Sequence, residues 1–240
     1  MPFHNPDQPN PGLDRAHHNL RADGARDQTK NSHRSGIHTR GYLPHVKREG
    51  ASYFITFRLA DSLPREILMK FEQQRARRLE RLGVLTSLGQ PINDSEDTIM
   101  RDFARAIERY LDRGVGACHL RRPDIANLVV DAMRHFHSQR YLIHEWVVMP
   151  NHVHAIVWPM PNFVLGDILK SWKQFTSRRA KKILGMNDEP FWQPESYDHW
   201  IRNDEEKARI ARYIRNNPVI AELCKQPESW TWSSAQNVSA

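Results

Sequence analysis

The stretch Met149-Pro150-Asn151-His152-Val153-His154-Ala155-Ile156 organises this 240-residue chain. Before it, Tyr141 to Val148 is an apolar run that reads as a strand, and after it Ala155 to Trp158 reads as another. Pro150 and Asn151 are turn formers between two such runs, so a hairpin is predicted. Side chains alternate across a strand, which aims His152 and His154 one way and Val153 the other, into the core. Two imidazoles converging from a rigid strand make half of a divalent-metal site. A His-x-His pair also arises by chance, so its meaning depends on what the rest of the chain brings to it.

Working outward, Tyr53 to Leu59 alternates and is rich in β-formers, which predicts the first core strand. Leu63-Pro64 opens a charged helix running to about Leu82. A second helix follows over roughly Ser95 to Asp112, with acids at its start and Gly114 and Gly116 past its end. These two helices read as an insertion over residues 62–118, and no chemistry is assigned to it. Arg122-Pro123-Asp124 starts another helix, whose Ile125, Leu128, Val129, Ala132, Met133 and Phe136 form a core stripe. Past the hairpin come a long helix over Phe163 to Leu184, a short strand over Ser196 to Arg202, and a helix capped by Asn203 or Asp204. Pro218 should end or kink that last helix at Asn217. The order of elements predicts an α+β fold: an antiparallel sheet with helices, close to a ferredoxin-like core, carrying an inserted helical hairpin. The folded domain spans 41–240. Met1 to about Arg40 is polar and poor in large apolar residues, so it is expected to be a disordered tail.

The net charge is +7 and the pI about 9.6, which suggests a polyanionic partner, most simply nucleic acid. The charge clusters on the long helix, where Lys170, Lys173, Arg178, Arg179, Lys181 and Lys182 face a single acid, Asp167. With Trp172 interleaved, this suits DNA-backbone contact plus stacking on an unpaired base. A solvated face of an amphipathic helix is the other reading. Cys118 and Cys224 lack metal-ligand spacing, so a reducing, cytoplasmic compartment is expected rather than a disulfide framework. There is no run of 18 apolar residues, and no membrane partner is expected. A zinc hydrolase is disfavoured, because no third His or carboxylate lies at the usual spacing.

Tyr213 and Asn217 are four apart and share a helix face. An amide oxygen can ligate a hard metal, and a phenol can act as nucleophile. If this helix packs beside His152 and His154, the parts of a phosphodiester-cleaving site come together. On composition alone Tyr213 and Tyr197 are equal candidates, and an ordinary helix tyrosine is a further alternative.

The run Glu145-Trp146-Val147-Val148-Met149-Pro150-Asn151-His152-Val153-His154 resembles the HUH motif (His, hydrophobic, His) of the insertion-sequence-200-like single-tyrosine transposases. Three further blocks resemble the subgroup called REP-associated tyrosine transposases: Lys170 to Thr176, Phe191 to Pro194 continuing through Tyr197 to Arg202, and Tyr213 to Val219. Trp230-Thr231-Trp232-Ser233-Ser234 fits as well. The resemblance implies an HUH endonuclease fold with His152, His154 and Asn217 as ligands of Mg²⁺ or Mn²⁺. It implies Tyr213 as the nucleophile that cuts single-stranded or hairpin DNA through a 5′-phosphotyrosine and transfers or reseals the strand. It further implies a monomer, with a homodimer as the alternative, working at the nucleoid of the bacterial cytoplasm. A hairpin-DNA-binding protein that no longer cuts is the competing functional class.

Overall fold

In the computed structural model the described residues are 36–40, 43–47, 50–91 and 93–238. Strands β1 (Gly36–Arg40) and β2 (Leu43–Lys47) pair antiparallel as a two-stranded ribbon. β1 therefore occupies the last five residues of the stretch expected to be a disordered tail. Its hydrogen bonds go to the backbone of β2, a partner that side-chain composition does not reveal. The remainder of the expected tail lies outside the described residues.

The main sheet holds β3 (Tyr53–Arg58), β4 (Tyr141–Val148), β5 (His152–Pro159) and β6 (Tyr197–Trp200) in the order β4-β5-β3-β6, every pair antiparallel. Helices α1 (Arg65–Ser87), α2 (Glu96–Leu111) and α3 (Pro123–Arg134) come between β3 and β4, and α4 (Leu165–Leu184) links β5 to β6. Without α1 and α2 this is the ferredoxin-like arrangement, so the expected α+β class and the insertion are both present. β4 and β5 join through the tight turn at Pro150-Asn151, where Met149 N–H donates to the His152 carbonyl at 2.8 Å.

Both faces of the sheet are covered. On one, Ile55, Phe57, Val153, Ala155 and Val157 pack with Ile125, Val129 and Met133 of α3 and Ile168, Leu169 and Trp172 of α4. On the other, Phe54, Val147, Met149 and Ile156 pack beneath Ile214 of α5 (Asp204–Ile220). Two-sided burial explains why β3 is buried along its whole length. A bulge between Ile143 and Trp146 shifts the β4–β5 register by one residue, so Tyr141 and Trp146 reach the same core despite their odd spacing. The C-terminal segment covers β4: Val148 N–H donates to the Trp232 carbonyl at 2.8 Å, and Trp230 Nε1 donates to the Val148 carbonyl at 2.9 Å.

Pro218 does not end α5, which runs on to Ile220. The proline sits in the last turn, where it forfeits one intrahelical bond. The chain beyond it is held by Ala221 N–H on the Asn217 carbonyl at 3.0 Å and Leu223 N–H on the Pro218 carbonyl at 2.8 Å. In the insertion, Arg78 of α1 binds Asp94 at 2.8 Å and Asp102 of α2 at 2.9 Å. α2 buries Ile99, Phe103 and Leu111, and its N-terminal Asp97 meets Arg202 at 3.3 Å, so the insertion lies against the α5 side of the molecule.

Candidate active site

His152 and His154 stand side by side on β5, fully buried, with ring centroids 4.6 Å apart. Their β3 neighbours in register are Arg58 and Thr56. Asn151 is the residue that orients His152. Its Nδ2 donates to the carbonyls of Leu111 at 3.1 Å and Val115 at 3.0 Å, which turns its Oδ1 toward His152 Nδ1 at 2.7 Å. With the amide held this way, Nδ1 carries the proton and Nε2 presents a lone pair. His154 Nδ1 lies 2.8 Å from Thr56 Oγ1.

α5 brings Tyr213 and Asn217 to these rings. Tyr213 Oη is 3.4 Å from His154 Nε2 and accepts from Asn217 Nδ2 at 3.1 Å. The His152 and Asn217 side chains are neighbours, and His152 Nε2 and the Asn217 amide oxygen are both buried without a hydrogen-bond partner of good geometry. The other candidate, Tyr197, packs its ring edge against Phe54 at 6.1 Å. The geometry thus joins Tyr213, and not Tyr197, to the histidine pair.

The insertion also reaches this site, contrary to the expectation that it carries no chemistry. Glu108 of α2 accepts a hydrogen bond from Tyr213, and Asp112, which follows the helix, places Oδ1 3.9 Å from His152 Nε2. Burial, and then the charge of Asp112, raises the Glu108 carboxyl to about 7. Burial raises Asp112 to about 6 against a hydrogen bond with Asn217. Burial lowers His152 to about 3 and His154 well below the ordinary imidazole value, so both rings are neutral. The Tyr213 phenol is pushed far up by burial and then by Glu108 and Asp112, which keeps it protonated.

Neutral imidazoles, an unpaired amide oxygen and half-buried carboxylates are donors that a hard divalent cation takes. His152, His154 and Asn217 fit such an ion. Among the described residues no three His, Cys, Asp or Glu side chains are already drawn together as a preformed metal cage, and the Asn217 amide is the further donor beside the two histidines.

The expected DNA-binding residues divide. Trp172 is only 3% exposed, and its indole N–H donates to Tyr141 Oη at 2.7 Å, so it is a core residue and not a stacking platform. Lys173 turns its ammonium inward, donating to the Pro194 carbonyl at 2.9 Å and to the Gln193 carbonyl. Lys170, Arg178, Arg179 and Lys182 are exposed and Lys181 half-buried. Strand alternation puts α4 on the sheet face opposite the histidines, so this basic surface does not adjoin the candidate site.

Sequence reading missed Asn151, Thr56, Glu108 and Asp112 as site residues. Glu108 and Asp112 did carry a signal, since they are four apart and share a helix face as Tyr213 and Asn217 do.

Residues 124–217 match the family described as Transposase IS200 like. A REP-associated tyrosine transposase of Escherichia coli (strain K12) is 32% identical over 92 residues, covering 38% of this chain and 53% of that protein. An uncharacterised protein of Haemophilus influenzae is 29% identical over 102 residues, covering 33% of this chain and 56% of its own length. The chain thus spans about half the length of the curated relatives it matches. Among solved structures, a REP-associated tyrosine transposase bound to a REP hairpin aligns with a TM-score of 0.44 at 18% identity, over 83% of this chain and 82% of that one. A Deinococcus radiodurans protein described as a putative transposase aligns with a TM-score of 0.35 at 16% identity, over 75% of this chain and 96% of that one. Among the described residues no helix is long and apolar enough to cross a membrane.

Proposed function

We propose that this chain, whose residues 124–217 match the family described as Transposase IS200 like, is a metal-dependent single-strand DNA endonuclease and strand-transfer enzyme. The observation that carries the reading is the meeting of Tyr213 Oη with His154 Nε2 at 3.4 Å and Asn217 Nδ2 at 3.1 Å. His152, His154 and Asn217 would hold Mg²⁺ or Mn²⁺, which when bound supplies a positive charge to polarise the scissile phosphate.

Tyr213 Oη attacks phosphorus, the bond to the 3′-oxygen breaks and that oxygen leaves as a hydroxyl with a proton from solvent, and the 5′ end stays on the enzyme as a phosphotyrosine. Glu108, already hydrogen-bonded to the phenol, takes its proton, and a value near 7 suits a group that returns the proton in the reverse step. Asn217 holds the tyrosine oxygen toward the histidines. The covalent link conserves the phosphodiester energy, so a 3′-hydroxyl can reseal or transfer the strand without ATP. Hairpin DNA is the proposed substrate, and assembly of the site within one chain supports a monomer. The exposed Lys170, Arg178, Arg179 and Lys182, with the half-buried Lys181, would hold flanking DNA on the opposite face of the sheet, where charge neutralisation of phosphates is the main contribution.

The test is cleavage of a labelled single-stranded hairpin with Mg²⁺ or Mn²⁺. A covalent protein–DNA adduct should form, and Tyr213→Phe should abolish it while leaving binding intact. An adduct lost in Tyr197→Phe and kept in Tyr213→Phe would reverse the nucleophile assignment. Binding with no adduct on any hairpin would make the chain a DNA-binding module.

A further inference from the structure

Asp112 lies in the insertion, outside the family-matched residues 124–217, yet it reaches the histidine face. We propose that Asp112 is a ligand of the divalent cation at His152, His154 and Asn217, so that the inserted helices complete the metal site. The proposal rests on the metal-dependent reading above.

The geometry is that of a shared ion and not of a hydrogen bond. Asp112 Oδ1 and His152 Nε2 are 3.9 Å apart. A hydrogen bond between them would require about 2.7–3.2 Å. Two donors each about 2.0–2.2 Å from one ion stand roughly 3–4 Å from each other. Asp112 Oδ1, His152 Nε2 and Asn217 Oδ1 are all buried and unpartnered. They come from the end of α2, from β5 and from α5. With His152 protonated on Nδ1, all three are lone-pair donors, and three such atoms cannot satisfy one another. A cation satisfies all three at once.

Charge leads to the same residue. Two neutral imidazoles and an amide leave a divalent ion with its full charge in a buried site, which is costly without an anionic partner. Asp112 supplies that anion from within the chain. Asn151 fixes it there, because the carbonyls that Asn151 grips, Leu111 and Val115, bracket Asp112 in sequence. A hard carboxylate oxygen also biases the site toward Mn²⁺ or Mg²⁺ over softer ions.

The experiment is titration of the DNA-free full chain with Mn²⁺, with free ion read by electron paramagnetic resonance, and a parallel titration with Cd²⁺. Wild type should bind Mn²⁺, His152→Ala should not, and Asp112→Asn should bind Mn²⁺ at least about tenfold more weakly, with a smaller loss for Cd²⁺. The rise in melting temperature that Mn²⁺ gives wild type should shrink in the same variant. Asp112→Ser serves if the asparagine variant does not fold. Asp112→Asn binding like wild type, with His152→Ala failing to bind, overturns the proposal and leaves the metal reading standing. An equal loss for Mn²⁺ and Cd²⁺ also overturns it, because Asp112 would then only position Asn217. If wild type takes no Mn²⁺, or His152→Ala takes it equally well, the metal reading fails and the proposal falls with it.

Discussion

Replacing Asn151 with alanine tests the joint between hairpin, insertion and site. The side chain is fully buried and makes three hydrogen bonds, two from Nδ2 to the Leu111 and Val115 carbonyls and one at Oδ1 with His152 Nδ1. The three losses differ. Leu111 O keeps a second partner, Gly114 N–H at 2.9 Å, and the Val115 bond is only part-buried, so each costs about 0.5–1.5 kcal/mol. The imidazole N–H is left buried without an acceptor, at about 1–3 kcal/mol. The expected loss is therefore about 4 kcal/mol, or a fall in Tm of roughly 8–16 °C for a chain of this size. Urea denaturation in EDTA measures it free of any metal contribution. Asn151→Asp is the informative partner. It keeps an acceptor for His152 but sets a carboxylate against two carbonyls, so it should lose stability while preserving the orientation of the ring. Asn151→Ala within about 0.5 kcal/mol of wild type would refute the anchoring role.

The folded value of Glu108, about 7, lies above the ordinary 4.5, so its stabilising contribution is present below pH 4.5 and is lost as pH rises through 7. Glu108→Gln should therefore gain roughly 1–3 kcal/mol on wild type between pH 4.5 and 8 in EDTA. The difference between the two proteins cancels His152, whose lowered value makes its contribution full above 6.5 and lost as pH falls toward 3. A pH-independent difference would remove Glu108 from its buried setting. On α4, Lys173→Ala should cost about 1.5–3 kcal/mol of stability and leave the salt dependence of DNA binding unchanged, because its ammonium is bound to backbone carbonyls. Exposed Arg178→Ala should do the reverse, lowering the salt slope by about one unit on DNA long enough to reach the opposite face. Identical behaviour of the two variants would contradict the orientation of that helix.

What depends on local periodicity could be read from the chain alone. Alternation placed His152 and His154 on one face and Val153 on the other, turn chemistry located the hairpin, and helical spacing paired Tyr213 with Asn217. The order of strands and helices carried the ferredoxin-like class, and the HUH and tyrosine blocks carried the family resemblance, now matched over residues 124–217. Tertiary structure decided what sits opposite these groups. Trp172 and Lys173 fit a basic, aromatic DNA face by composition, but packing turns both inward, because a helix pattern does not say which polar groups the neighbouring loops will claim. The helix period likewise cannot say that α4 lies behind the sheet, away from the histidines. Asn151 reads as a turn residue until the insertion is folded beside it, and only then do its amide bonds to Leu111 and Val115 exist. The His-Val-His strand was therefore determined locally. Its acidic partners, Glu108 and Asp112, were decided by where α2 docks, since contacts between residues some forty positions apart depend on how whole elements pack and leave no local pattern in the chain.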